Sequence, residues 1–130
     1  MTRILIVDDD ADILELLRLE FEDDPGCTAD TTTRVADALA MARQHPYDAI
    51  ITDWRMPVMN GTMFVSALRR QGCTSHIIIY SGKELDQEMQ KAFDAGANDY
   101  VGRRGNPERE FDELKELIKK FSVTVQRTAK

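Results

Sequence analysis

Residues 3–17 read RILIVDDDADILELL: four apolar side chains, Ile4 to Val7, run straight into three consecutive aspartates, and a fourth follows at Asp12. The apolar run is short, continuous and rich in β-branched residues, the pattern of a strand buried on both faces. Behind it, Ile13, Leu14, Leu17 and Phe21 recur at the spacing of one helical face. A buried strand feeding an amphipathic helix is half of a βαβ unit, so the fold turns on whether the unit repeats. The acids at the junction raise a second question. Adjacent carboxylates repel one another, and only one or two of them have a helix to cap.

The unit repeats. Ala49-Ile50-Ile51 and Ile77-Ile78-Ile79-Tyr80 are further apolar runs, with weaker candidates at Cys27 to Asp30 and Asp99 to Val101. Helical stripes lie between them: Val35, Leu39 and Ala42; Phe64, Ala67 and Leu68; Leu85, Met89, Ala92 and Phe93; and lastly Phe111, Leu114, Ile118 and Phe121. Asp24-Pro25-Gly26 and His45-Pro46 end the first two helices, and Asn60-Gly61 opens the third. Gly72 and Gly96 follow the third and fourth, while Asn106-Pro107 opens the fifth with a cap and a first-turn proline. Five β-α units predict an α/β fold, a parallel sheet with right-handed crossovers and helices on both faces.

Composition bounds what such a chain does. Its 130 residues are 42% apolar and 31% charged, enough for one domain with a sizeable core. No apolar run approaches the roughly 20 residues that span a bilayer, and no signal peptide is evident, so a cytoplasmic site is expected and a membrane partner is not. The net charge of −6 argues against nucleic acid as a partner of this domain alone. That charge is uneven: residues 1–102 carry 9 basic and 18 acidic groups, residues 103–130 carry 8 and 5. Cys27 and Cys73 lack metal-ligand spacing and suit a reducing compartment. His45 and His76 read as ordinary residues near element ends.

In an open parallel sheet, ligands bind beyond the carboxyl ends of the strands. Asp8 and Asp9 follow the first strand, Asp53 follows the third in AIITDWRMP, and Ser81 follows the fourth in IIIYSGK. With the first and third strands as neighbours, Asp8, Asp9 and Asp53 share one acidic pocket. Asp10 is placed to cap the first helix, and Asp12 to lie on the exposed side of its first turn. Residues 54–60, with Pro57 inside, read as loop, so Asp53 caps nothing. Clustered carboxylates resist full ionisation unless a cation joins them. An all-oxygen donor set suits Mg²⁺, which keeps waters and leaves room for a phosphoryl oxygen.

In order and spacing, ILIVDDD, AIITDWRMPVMNG, IIIYSG and AGANDYV make residues 2–121 resemble the receiver domain of two-component response regulators. The resemblance implies a flavodoxin-like (βα)5 fold with strand order 2-1-3-4-5, a receiver domain over residues 1–121, and a tail or linker start over 122–130. It implies that Asp53 takes a phosphoryl group from a histidine kinase, a phosphotransfer protein or a small phosphodonor. Mg²⁺ would be held directly by Asp9 and Asp53, through water by Asp8, and by the backbone carbonyl of Arg55. Ser81 would hydrogen-bond the phosphoryl group beside the small Gly82, and Tyr100 would turn inward as the switch. The face made by helix 4, strand 5 and helix 5 would then change, for an output or sensor domain or for a homodimer. From the residues alone, Ser81 reads equally as a turn residue, Tyr100 as a half-buried strand aromatic and Gly82 as chain geometry. Enzymatic activity would extend to self-phosphorylation and self-dephosphorylation at most.

One stretch departs from the family. Receivers usually carry lysine three residues past the switch aromatic, often followed by proline; here DYVGRRGNP puts Arg103 and Arg104 in those places. Arginine keeps the charge but is planar and bulkier. Either Arg103 or Arg104 faces the site, and the Arg55 side chain borders it. The substitution motivates an alternative function: an interaction module of receiver fold that acts independently of phosphorylation.

Overall fold

The computed structural model describes the backbone of residues 1–129 and the side chains of residues 1–120. Its elements run β1 (Thr2–Val7), α1 (Ala11–Glu22), β2 (Cys27–Thr32), α2 (Val35–Gln44), β3 (Ala49–Thr52), α3 (Gly61–Arg70), β4 (His76–Ser81), α4 (Gln87–Ala95), β5 (Asp99–Gly102) and α5 (Pro107–Ala129). All strands pair in parallel, in the order β2-β1-β3-β4-β5. This is the expected five-stranded, doubly wound sheet.

Alternate residues of the continuous apolar runs serve different cores. Ile4 and Ile6, with Ile51, Ile78 and Tyr80, pack against Leu14, Leu17 and Phe21 of α1 and Phe111, Leu114 and Ile118 of α5. Leu5, Val7, Ile50, Ile77 and Ile79 face the other way, onto Val35 and Ala38 of α2, Phe64, Val65 and Leu68 of α3, and Met89 and Ala92 of α4. Both faces are covered, so these strands carry no polar alternation. Each large side chain fully buried there contributes about 1.5–3 kcal/mol.

Capping sets the helix boundaries, and here the structure revises two expectations. The Asp86 side chain accepts from the Met89 amide at 3.0 Å, which starts α4 at Gln87 and leaves Leu85 outside the helix and exposed. Leu85 is therefore not part of the α4 stripe. The backbone of α5 continues to Ala129, past the end of the apolar stripe, because no proline or glycine follows Pro107 to stop it. The side chain of Phe121 lies outside the described residues. Two glycines answer to space rather than to turns alone. A Cβ at Gly61 would sit 2.8 Å from the Trp54 Cα. One at Gly96, where φ is +126°, would meet the Arg69 side chain at 2.7 Å.

Candidate functional site

Register brings the acids together. Val7 of β1 pairs with Thr52 of β3, so Asp8 and Asp53, the next residue of each strand, emerge side by side at the carboxyl edge. Their amides continue the ladder, Asp8 donating to the Thr32 carbonyl at 3.3 Å and Asp53 to that of Val7 at 3.2 Å. Asp9 completes a group in which one carboxylate oxygen from each residue lies within 4.8 Å of the others.

The three carboxylates are held differently. Asp8 is buried, and both its oxygens are engaged: Oδ1 accepts from the Asp10 amide at 2.9 Å, and Oδ2 from Arg103 Nη2 at 2.8 Å. Asp53 is half-buried; its Oδ1 accepts from the amides of Trp54 at 2.7 Å and Arg55 at 3.3 Å, while Oδ2 has no hydrogen bond among the described residues. Asp9 is exposed, and its carboxylate has no hydrogen bond among the described residues. Burial pushes the Asp8 carboxyl above its ordinary range and the neighbouring Asp53 charge adds to this, although Arg103 and the Asp10 amide pull the other way. The remaining acids serve the helix, as expected: Asp10 caps α1 by accepting from the Asp12 amide, and Asp12 lies exposed in its first turn.

A hard divalent cation fits this donor set. The open acceptors, Asp53 Oδ2 and the Asp9 carboxylate, are the pair that direct ligation needs, and doubly bonded Asp8 suits contact through water.

Of the two arginines, Arg103 faces the acids. Its Nη2 also donates to the Tyr80 carbonyl at 3.2 Å, and its guanidinium lies 4.5 Å above the Tyr80 ring centroid. Burial opposes the Arg103 charge, but Asp8, Asp53 and Tyr80 together outweigh it and hold the pKa above the ordinary arginine value. Arg104 turns the opposite way, donating to the Gly82 carbonyl at 3.0 Å and to the Tyr100 hydroxyl at 2.8 Å.

Ser81 is the last residue of β4 rather than the first beyond it, because Gly102 of β5 extends the pairing by one step. It is fully buried, and its Oγ accepts from the Lys83 amide at 3.2 Å. Tyr100 donates its hydroxyl to the Lys83 carbonyl at 2.6 Å, tying β5 to the β4–α4 loop. Gly82 is not forced by close approach, since a Cβ would make ordinary contact at 3.7 Å with the Arg103 carbonyl. The Arg55 side chain is exposed. His45 and His76 are brought to no joint site: His45 meets Tyr47 edge-on, and His76 pairs with Asp99 at the opposite edge of the sheet.

Two residues at this edge escape a reading of the sequence. Lys83 is buried, with its ammonium 4.7 Å from the centroid of the Trp54 ring and paired to Asp86 and Glu88. Nothing local marks a lysine in a loop as buried. Glu110, 5% exposed, accepts from the Tyr80 hydroxyl at 2.6 Å and from the amides of Arg104 and Asn106 at 2.7 and 3.2 Å. Glu110 stands four residues after Asn106, one past the position where a capping acid is expected, so its reach back to the Asn106 amide had no sequence signal.

A doubly wound parallel sheet carrying an aspartate cluster at the ends of β1 and β3 defines a class of α/β protein that works at its carboxyl edge. Residues 4–118 match the response regulator receiver domain, and the chain belongs to that family. It is 36% identical over 101 residues to the transcriptional regulatory protein KdpE of Mycobacterium tuberculosis, covering 78% of this chain and 44% of that protein. It is equally similar to the response regulator ArlR of Staphylococcus aureus, of which it covers 45%. The chain thus spans about half the length of the curated relatives it matches. Among solved structures, the chemotaxis protein CheY4 of Vibrio cholerae aligns with a TM-score of 0.79 at 30% identity, over 89% of this chain and 98% of that one. A receiver domain from Francisella aligns at 0.80 with 26% identity, over 98% and 99%. The chain is a receiver domain of a two-component response regulator.

Proposed function

We propose that this receiver is a phosphoaccepting switch, with Asp53 as the acceptor and Mg²⁺ as the required cation. The observation that carries the reading is the contrast within Asp53: two backbone amides fix Oδ1, while the acidic cluster leaves Oδ2 unbonded. A carboxylate held in one orientation is positioned for in-line attack. One Asp53 oxygen forms the new bond to phosphorus as the bond to the donor breaks, and the donor's imidazole or acetate leaves with the electron pair. Bound Mg²⁺ supplies charge neutralisation for oxygens that would otherwise repel the nucleophile. Asp9 and Asp53 would hold it directly, Asp8 through water, and the Arg55 carbonyl would complete the protein ligands. Arg103 supplies a second positive charge at the Asp8 side.

Ser81 and Tyr100 read the outcome at the β4–α4 loop, where the Tyr100 hydroxyl already meets the Lys83 carbonyl. The α4-β5-α5 face then changes for its partner. Because the curated relatives are about twice as long, that partner includes an output or sensor domain of a longer chain, or a second receiver. A histidine kinase or phosphotransfer protein is the donor.

Trp54 adjoins Asp53 and is the sole tryptophan. Its fluorescence is expected to change with millimolar Mg²⁺, and the change to vanish in Asp53→Asn. Acetyl phosphate is expected to add one phosphoryl group to the native chain and none to that variant, read by mass spectrometry. An unmodified Asp53 together with a silent Trp54 overturns the reading. Partner binding indifferent to beryllofluoride would replace the switch by a phosphorylation-independent module.

A further inference from the structure

The surroundings of Arg103 are built for a guanidinium. Its plane lies over Tyr80, one nitrogen bonds both Asp8 and the Tyr80 carbonyl, and the Tyr80 hydroxyl is fixed by Glu110. Glu110 is in turn held by two backbone amides at the start of α5. Asp8, Tyr80 and Glu110 are 2%, 1% and 5% exposed, so the partners that hold the partly exposed Arg103 side chain lie in the interior. Arg103 Nε is buried there without a hydrogen-bond partner among the described residues. An arrangement kept despite an unsatisfied donor must be held by what surrounds it.

We propose that Tyr80, braced by Glu110, is a positioning residue that locks Arg103 onto Asp8 as a fixed internal counter-cation, and so sets how tightly the acidic site takes a divalent metal ion. The inference rests on the metal-site reading above. An ammonium on a flexible stem swings aside when a second cation arrives, whereas a guanidinium stacked on a braced ring does not. The locked charge opposes the incoming ion by repulsion and by occupying an acceptor on Asp8.

The test is Mn²⁺ binding followed by electron paramagnetic resonance, which needs neither phosphorylation nor Trp54. Arg103→Met is expected to tighten Mn²⁺ about tenfold, the effect of removing one nearby charge from a partly solvated site. Tyr80→Leu is expected to tighten it too, by less. The double variant is expected to bind no more tightly than Arg103→Met alone, because Tyr80 acts only through Arg103. Unchanged or weaker binding in Arg103→Met overturns the proposal, and so do effects that multiply in the double variant. Should Tyr80→Leu not fold, Tyr80→Phe keeps the ring but cuts the brace; its smaller tightening must likewise vanish in the Arg103→Met background. Equal Mn²⁺ binding by the native chain and Asp9→Asn removes the metal site itself, a failure distinct from a native site that is lost in Asp9→Asn yet indifferent to Arg103.

Discussion

At the scale of single residues, the loop after Asp53 holds a non-glycine residue in the left-handed region. Val58 has φ +73° and is 98% exposed. A β-branched residue in the left-handed region crowds its Cβ against the following carbonyl, and here no burial offsets that cost. Val58→Asn is expected to raise stability by about 1 kcal/mol, because asparagine tolerates this conformation. Urea unfolding checks it; an unchanged midpoint would mean the loop relaxes freely. Nearby residues show how much a sequence says about single side chains. Asp10 declared its capping role through its place before an amphipathic run. Arg103 and Arg104 did not divide their roles, since two adjacent arginines after a strand look alike until the Tyr80 ring and the Gly82 carbonyl choose between them.

At the scale of elements, the junctions carry most of the polar chemistry. Arg69 near the end of α3 donates to the carbonyls of Gly96, Cys73 and Ser75, pinning the α4–β5 and α3–β4 connections together. Glu110 does the same for β4 and the start of α5. Burial opposes its charge, but the Tyr80 hydroxyl and two amides outweigh burial and hold the carboxyl below the ordinary glutamate value of 4.5. A depressed carboxyl contributes stability that is complete above the unfolded-state value and lost as pH falls through the folded one. The stability gap between the native chain and Glu110→Gln is therefore expected to stay level from neutral pH down to about 4.5 and to shrink below it. Chemical unfolding across that range measures it, and a gap that widens in acid would contradict this account. The α4 boundary belongs here too. Leu85 fits the helical stripe by spacing alone, yet the Asp86 cap excludes it.

At the scale of the molecule, the acidic edge gathers three carboxylates whose mutual repulsion a bound cation would relieve. Mg²⁺ at ten times its dissociation constant is expected to stabilise the fold by about 1.4 kcal/mol, seen as a rise of a few degrees in Tm. A chelator should reverse the rise, and Asp9→Asn should abolish it. A melting curve indifferent to Mg²⁺ would count against the metal site. The order of elements, the two-faced burial of the strands and the division of the opening aspartates between an acidic cluster with Asp53 and a helix cap were all legible in the linear sequence. Periodicity, caps and turn residues act between neighbours in the chain, and five repeats of one pattern admit few topologies. What only the tertiary structure decided is which charge meets which: Arg103 with Asp8 across 95 positions, Tyr80 with Glu110 across 30, Lys83 over Trp54. These contacts depend on strand register and on side-chain direction at a shared edge. No local pattern encodes them, because a long cationic side chain reaches several acids and packing alone selects one.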